Sequence, residues 1–568
     1  MTTQNSPDSK INIIIIIFAI SISVIIVRLF HLQILESSEL LNLSKRNFTR
    51  ISYIASLRGD ILDCNNFLLA TNRPIFNLYW IGTENRNLTE SQNKNLAKLQ
   101  EIISELSEDL INDIKQSERF AKKLLIKSDI SFEELSKLEE IFASNENIKI
   151  ENDFKRFYPY QNLACHIIGY LSQANIESIG KTGLEYLLEN ELKGQKGKLL
   201  STINALGKKL SQREIEDAIA GQQIKTTLDL RLQQITEQSF PTEYSGSIII
   251  MDPYDGSIKA LTSRPNFDPN IFLKSINHDQ WQELQKERPF INRAFSASYP
   301  PASIFKLITI IAGLEEHVID QETETFCKGH TMFAGRKYHC GIKTGHGKLN
   351  IKDSFAQSCN ILFYRIGKHL KVDTIAKYAY QFGLGKKSGV IFPELEGLVP
   401  TNRWKIERFG ERWWPGETLS LSIGQSFLLV TPIQIAKMIS AIFTGYQVKP
   451  RMLESEPIEK TETNIKRENL NLLQSLMKKV VKSGTGKRVS TINDMKVYAK
   501  TGTAQTSALE KRKLGKEYQE HAWFVSYFSY KNNKPLTMVI LIEHAGNTRP
   551  AVSCARAILL KYKKIMES

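Results

Sequence analysis

Residues Ile11 to Val27 (INIIIIIFAISISVIIV) carry no charge and almost no polar group, with Lys10 before them and Arg28 after. Such a run constrains everything that follows. In lipid a single segment satisfies its backbone hydrogen bonds only as a helix. Extended through Leu29, Phe30 and Leu32, the run reaches the roughly 20 residues that cross a bilayer. A cleaved signal peptide is the rival reading, but no small-x-small cleavage site follows and the apolar run is long for one. The expectation is a short cytoplasmic tail over 1–10, an uncleaved anchor over 11–32, and the remainder of the chain on one side of a membrane. Lys10 and Asp8 on one flank, and Arg28, Lys45 and Arg46 on the other, do not set the orientation by charge.

The chain has 568 residues, 42% hydrophobic and 24% charged, enough for several globular domains with large cores. Its formal net charge of +15 suits lysine-rich solvated faces or an anionic surface. No lysine/arginine tract or aromatic–basic array speaks for nucleic acid. Six cysteines are too few for a disulfide scaffold.

Along the chain, Arg58-Gly59-Asp60-Ile61-Leu62-Asp63 and Phe67 to Ala70 read as a turn and a strand. From about 85 to 152, leucine and isoleucine recur at helical spacing (LAKLQEIISELSEDLINDI; FEELSKLEEIF), the pattern of amphipathic helices without chemistry of their own. His166, in an apolar stretch, reads as a packed histidine. The N-terminal region ends near residue 240. Gly246 to Leu261 then reads as a hairpin, Val497–Lys500, His521–Tyr530 and Pro535–His544 as strands, and Ala551–Met566 as a closing helix. The expected fold is α+β: a five-stranded antiparallel sheet covered by helices, its first two strands before the Ser303 helix and its last three near the C-terminus.

The chemistry gathers on three short motifs. In Tyr299-Pro-Pro-Ala-Ser303-Ile-Phe-Lys306, a serine and a lysine three apart share a helix face. The helix is expected over Ser303–Glu316, so the Lys306 amine can approach the Ser303 hydroxyl. A serine is a weak nucleophile until a base takes its proton, and burial can lower a lysine pKa enough to make it that base. Ser358-Cys359-Asn360 follows 55 residues later and Lys500-Thr501-Gly502-Thr503 lies 197 after Ser303. Ser358 and Asn360 can face a cleft from a loop, relaying protons and holding an amide. Lys500 offers a cation to a substrate carboxylate, and Gly502 lets a substrate backbone lie against its strand. The N–H groups of Ser303 and Thr503 are the expected oxyanion hole. Decoys exist: Ser475-Leu-Met-Lys478, in a solvated helical pattern; Lys-Thr-Gly at Lys181 and Lys343; Ser-x-Asn at Ser91 and Ser275. Only one set has the order serine/lysine, Ser-x-Asn, Lys-Thr-Gly.

Cys327, Cys340, His346 and Cys359, spaced C-x12-C-x5-H-x12-C, suit tetrahedral structural zinc, with three thiolates and one imidazole. A Cys327–Cys340 disulfide or buried thiols are the alternatives, and His330 and His339 are rival ligands.

With these motifs in place the chain resembles the class B penicillin-binding proteins over nearly its whole length, and within them the elongation-type, penicillin-binding protein 2 branch. Arg58-Gly-Asp-Ile-Leu-Asp63, Gly183-Leu-Glu185, Asp252-Pro253 with Gly256, Pro265-Asn-Phe267-Asp-Pro-Asn270, Gly424-Gln425 and His521-Ala-Trp-Phe524 are similar to that family's signatures. Cys64 stands where arginine is usual and Ala302 where glycine is common. The resemblance implies an elongated pedestal or dimerisation-type domain over 33–240, with a helical insertion at 85–152, and a transpeptidase domain over 241–568. It also implies peptidoglycan stem peptides ending in D-Ala-D-Ala as substrate, β-lactams as ligands acylating Ser303, an inner-membrane site with the catalytic part outside, and a glycan-polymerase partner of the RodA kind. A metal site with varied ligands is expected in the 327–359 region of this branch. A division-type enzyme, a penicillin sensor and a catalytically dead scaffold are the competing readings. A sensor would need a cytoplasmic signalling domain, and the ten residues before the span hold none; a dead scaffold would be expected to lose a motif.

Overall fold

The structure, a computed structural model, describes residues 7–103, 106–174, 177–204, 209–274, 276–506, 511 and 514–567. The expected tail falls largely on residues 1–6, and the Ser275 decoy on another residue, outside that set. The helix Pro7–Phe30 continues into a π-helical turn at His31–Leu35. Ile11–Leu35 has a mean hydropathy of 3.0 over its most apolar stretch and is long and apolar enough to cross a membrane.

The described residues divide into two compact units. The first comprises 1–58, 72–155 and 193–221. Its 85–152 region contains the helices Glu90–Ile102, Glu108–Arg119 and Phe132–Phe142, as the apolar spacing predicts. Thr89, Ser107 and Ser131 cap them, each accepting a hydrogen bond from a first-turn N–H. The region is not wholly helical: the strands Lys123–Lys127 and Ile148–Phe157 both pair with Leu68–Ile81. Trp80, Leu99, Ile114 and Leu138 form the core of this layer.

The second unit comprises 59–71, 156–192 and 222–568. The segments 59–71 and 156–192 thus pack in the same compact unit as 222–568. Ile61–Leu62 pairs with Ile224–Lys225, and the Arg156 Nε–Glu185 Oε1 ion pair, 2.7 Å long and shielded from water, stitches two returning segments together. Arg156 Nη1 also donates to Gly59 O at 2.8 Å. Breaking a buried pair of this kind strands a charge, which ties both segments to this unit.

Elements that carry the site are numbered within this unit. The strands are β1 (Gly246–Met251), β2 (Ile258–Arg264), β3 (Met495–Ala504), β4 (His521–Tyr530) and β5 (Leu536–Ile542). They form one antiparallel sheet in the order β2-β1-β5-β4-β3, so the Lys500 strand β3 lies at an edge. Side chains alternate across a strand, and here both faces are apolar. Ile249, Trp523, Val525, Val539 and Leu541 enter one core; Ile248, Phe524, Ile540 and Ile542 enter the other. Helix α1 (Lys306–Glu315), buried from Lys306 to Leu314, packs in the first core. Helix α3 (Arg549–Glu567) and the helix Leu230–Ser239 cover the second face. Helix α2 (Asn360–His369) runs from the Ser358 turn. Arg467–Ser483, which holds the Ser475 decoy, is not a solvated helix: Leu470, Leu472, Leu473, Leu476, Met477 and Val480 bury one face of it.

Candidate active site

The helix expected from Ser303 begins at Lys306, preceded by a single 3-10 turn over Ala302–Ile304. Prolines 300 and 301 and the left-handed Ala302 (φ 48°) make the chain enter the helix through a tight corner. Several bonds hold that corner. Ala302 N donates to Gly424 O at 2.9 Å, and Tyr299 pairs with Val430 through both backbone groups. Trp523 Nε1 donates to Pro300 O at 3.0 Å, and Tyr299 Oη donates to Glu543, which also holds Arg293. Gly424 sits at φ 76°, and a Cβ there would lie 2.0 Å from Ala302 O.

The three motifs meet. Ser358 Oγ lies 2.9 Å from Ser303 Oγ. Lys306 Nζ donates to Ser358 O at 2.9 Å, Ser358 Oγ at 3.2 Å and Asn360 Oδ1 at 2.8 Å. Lys500 Nζ donates to Ser358 Oγ at 3.2 Å and to Thr501 O at 3.0 Å. No hydrogen bond joins Lys306 Nζ directly to Ser303 Oγ; the link between them runs through Ser358. Ser358 occupies the left-handed region (φ 55°), which turns its hydroxyl into the group just before α2 begins.

Both amines are fully buried. Burial pushes the Lys306 pKa down to about 7, partly offset by the Cys359 and Cys340 sulfurs. Burial, and then the Lys306 charge, hold Lys500 well below the ordinary lysine range. The rings of Phe363 and Phe355 lie 4.7 Å and 5.2 Å from the two Nζ atoms. A buried amine with a pKa near neutrality can accept a proton and return it.

Two expectations need correction. Lys500 does not offer an exposed cation to a carboxylate: its ammonium is buried against Ser358. The exposed hydroxyl in that motif is Thr503, while Thr501 Oγ1 is taken up 2.6 Å from Thr485 Oγ1. Nor is Gly502 bare to admit a substrate backbone. A Cβ on it would point at Ile304 Cγ1, 3.2 Å away, and Pro301 O, 3.3 Å away. The glycine lets β3 close on the nucleophile turn.

Asn360 ties this group to its neighbourhood: its Nδ2 donates to His339 O at 3.2 Å and its N–H points to Cys340 Sγ at 3.4 Å. Cys327, Cys340, His346 and Cys359 are brought together, one potential ligand atom from each lying within 4.8 Å of all the others. His346 Nδ1 is 3.4 Å from Cys327 Sγ and 3.6 Å from Cys340 Sγ; Cys340 and Cys359 Sγ are 3.9 Å apart. No described cysteine is bridged to another. His330 and His339 face each other across a two-stranded hairpin, outside the cluster. His166 is a packed residue, its Nε2 on Pro289 O at 2.6 Å, and burial lowers its pKa to about 4.

Sequence reasoning missed Glu543, Arg293, Trp523 as a turn clamp, and Thr485. Trp523 stands on β4 and Glu543 just past β5, Arg293 reaches Glu543 from the segment before the Ser303 corner, and Thr485 meets Thr501 from just past the end of the helix Arg467–Ser483, so only the folded chain brings them to the site.

A nucleophilic serine served by buried lysines, at the edge of an antiparallel sheet between two helical layers, defines a serine acyl-transfer enzyme. The chain belongs to the class B penicillin-binding proteins: residues 246–566 match the penicillin binding protein transpeptidase domain and 53–226 the penicillin-binding protein dimerisation domain. It is similar to peptidoglycan D,D-transpeptidase MrdA of Haemophilus influenzae, 28% identical over 95% of this chain and 89% of that one. The MrdA of Acinetobacter baumannii is 29% identical, over 94% and 84%. Among solved structures, penicillin-binding protein PBP2 of Helicobacter pylori in complex with MreC superposes with a TM-score of 0.79 at 26% identity, over 92% of this chain and all of that one. A peptidoglycan synthase complex, described as coordinating polymerization and crosslinking, gives 0.76 at 27% identity, with 98% of each chain covered.

Proposed function

We propose that this protein is the peptidoglycan D,D-transpeptidase of wall elongation, cross-linking stem peptides and maintaining rod shape. The observation that carries the reading is the meeting of Ser303, Ser358, Lys306 and Lys500 around one hydroxyl, 2.9 Å from the nucleophile. Ser303 Oγ attacks the penultimate carbonyl of a stem ending in D-Ala-D-Ala. Its proton passes through Ser358 to the Lys306 amine, and Lys500 keeps the Ser358 hydroxyl oriented. The N–H groups of Ser303 and Thr503 receive the oxyanion; every second N–H of an edge strand such as β3 points away from its partner strand. The amide C–N bond breaks, the leaving D-alanine takes the proton, and an amine from a neighbouring stem then attacks the ester and restores the serine. Asn360 holds the donor amide, and the donor lies along the edge of β3 with the exposed Thr503 facing its carboxylate, while Thr501, held on Thr485, and Gly502, closed on Ile304, keep that edge in place. A β-lactam traps the first half of this sequence.

The apolar helix at 7–30 would anchor the chain in the inner membrane with the catalytic unit outside. Its partner would be a membrane glycan polymerase of the RodA kind. The 327–359 cluster would hold one structural zinc. Tetrahedral zinc with Zn–S of about 2.3 Å and Zn–N of about 2.0 Å would set sulfur–sulfur edges of ~3.8 Å and sulfur–nitrogen edges of ~3.5 Å. The observed 3.9, 3.4 and 3.6 Å support that fit. With four protein ligands the metal would brace the Ser358–Asn360 turn and take no part in acyl transfer. Depletion tests the cellular role: round cells are expected, whereas filaments would assign the protein to division.

A further inference from the structure

Between α1 and the Ser358 turn, residues 327–348 hold five lysines and arginines, three histidines and no carboxylate. The strands His330–Phe333 and Arg336–His339 form a two-stranded hairpin there. Its register sets His330 opposite His339, Thr331 opposite Tyr338, Met332 opposite Lys337 and Phe333 opposite Arg336. Residues directly opposite share a face, and successive residues alternate. Thr331, Phe333 and Tyr338 therefore lie on one side, and His330, Met332, Lys337 and His339 on the other.

The first side is the packed one. Tyr338 Oη donates to Gly416 O at 3.3 Å, its ring meets that of Tyr364 on α2 at 5.6 Å, and Lys368 of α2 lies over the Phe333 ring at 5.5 Å. The other side is left to solvent: Met332 is 53% exposed, and Lys337 and His339 are exposed with it. Desolvation, and then the Lys337 and Lys328 charges, lower the His330 pKa, so both ammonium groups lie around that imidazole. Among the described residues Lys328, Arg336, Lys337 and Lys343, all exposed, make no ion pair; Lys348 alone of the five has one, to Glu324 at 2.7 Å. The same hairpin reaches the active site through its backbone, since His339 O accepts from Asn360 Nδ2 and Tyr364 Oη, both at 3.2 Å.

We propose that the solvent face of this hairpin docks an acidic, extended segment of a second protein, one that carries apolar side chains between its carboxylates. Charge complementarity selects the sign of the partner: a patch of unpaired cations with no carboxylate among them attracts and orients an acidic chain. The mixed character of the face selects a protein. Met332, flexible and polarizable, suits an adaptable apolar contact, and it stands directly opposite Lys337. No Trp, Tyr or Phe ring stands on that face for a pyranose to lie against. The occupant would sit on the strand whose last carbonyl holds Asn360. The docking claim goes beyond the transpeptidase reading and does not depend on it.

The test titrates full-length protein in detergent with three fluorescent probes: a peptide alternating glutamate and valine, poly-L-glutamate, and hyaluronate, an acidic sugar polymer. Anisotropy is read against a detergent blank. The alternating peptide is expected to bind most tightly. Arg336→Glu/Lys337→Glu should weaken it at least about tenfold, and Met332→Ser about three- to fivefold. Lys478→Glu/Lys482→Glu, exposed on the helix Arg467–Ser483, should leave it unchanged. The unfolding midpoint shows whether each variant keeps its fold, and Lys328→Glu, outside the strands, repeats the charge test if the hairpin variant does not. Unchanged affinity in the charge variants overturns the proposal, as does a wild type that binds no probe. An equal loss in Lys478→Glu/Lys482→Glu overturns it by reducing the binding to net charge. Hyaluronate bound most tightly, through the same cations, would make the face a sugar-polymer site and overturn the protein assignment. So would poly-L-glutamate bound as tightly as the mixed peptide with Met332→Ser without effect.

Discussion

Ser358 Oγ lies 2.9 Å from Ser303 Oγ, and the Lys306 and Lys500 amines each reach that same oxygen at 3.2 Å. Among the described residues, that one hydroxyl links the nucleophile by hydrogen bonds to both amines. Two ammonium ions on one buried oxygen would repel, and after burial the Lys306 charge is what holds Lys500 well below the ordinary lysine range.

Removing that hydroxyl should break the relay without disturbing the fold. Ser358→Ala is expected to lower the rate of penicillin acylation by at least about 100-fold, read by stopped-flow fluorescence. A loss of less than about threefold would mean that Lys306 takes the proton directly.

Lys306 must be neutral to act as base. With its pKa at about 7, the acylation rate should rise about tenfold per pH unit below neutrality and level off above it. Stability carries the same sign. The unfolded lysine keeps its proton up to about pH 10.4, so between about 7 and 10.4 the unfolded state binds more protons and this group's contribution rises with pH. Lys306→Arg, permanently charged, should be inactive at every pH.

The two backbone corners predict opposite effects. Gly502→Ala places a methyl 3.3 Å from Pro301 O, a backbone atom with little room to yield. A loss of about 1–2 kcal/mol is expected, with slower acylation as β3 is pushed from the Ser303 turn. Ala302→Gly relieves a left-handed residue at φ 48°. The steric relief of about 1–2 kcal/mol exceeds the added chain entropy of about 0.4–1 kcal/mol, so urea titration should show a gain.

The proposed zinc site at Cys327, Cys340, His346 and Cys359 predicts one equivalent of zinc in the purified protein by elemental analysis. Cys340→Ser should lose it, lower the unfolding midpoint and slow acylation, because Asn360 hangs on Cys340 and on the His339 carbonyl. Absence of metal together with a Cys327–Cys340 bridge would contradict this.

Much of this was legible in the residues. The strands of the central sheet announce themselves as apolar runs such as Ile248–Ile250 and Val539–Ile542, because helices cover both faces and alternation disappears. The order of the three motifs singles out Ser303 over Ser475 as the candidate nucleophile, and the fold brings the Ser303 set together. What was hidden depends on direction rather than identity. Lys500 reads as a cation for substrate, but its strand turns it inward. Gly502 reads as an opening, but the space it leaves is filled by Ile304. Glu543 and Arg293, 250 residues apart, have no local pattern at all and meet only when the sheet closes.

The most direct test is the intact mass of the full-length protein after incubation with penicillin. The expected result is a single adduct, mapped to Ser303 and absent from Ser303→Ala. An adduct that persists in Ser303→Ala, or a wild type left unmodified, would contradict the assignment.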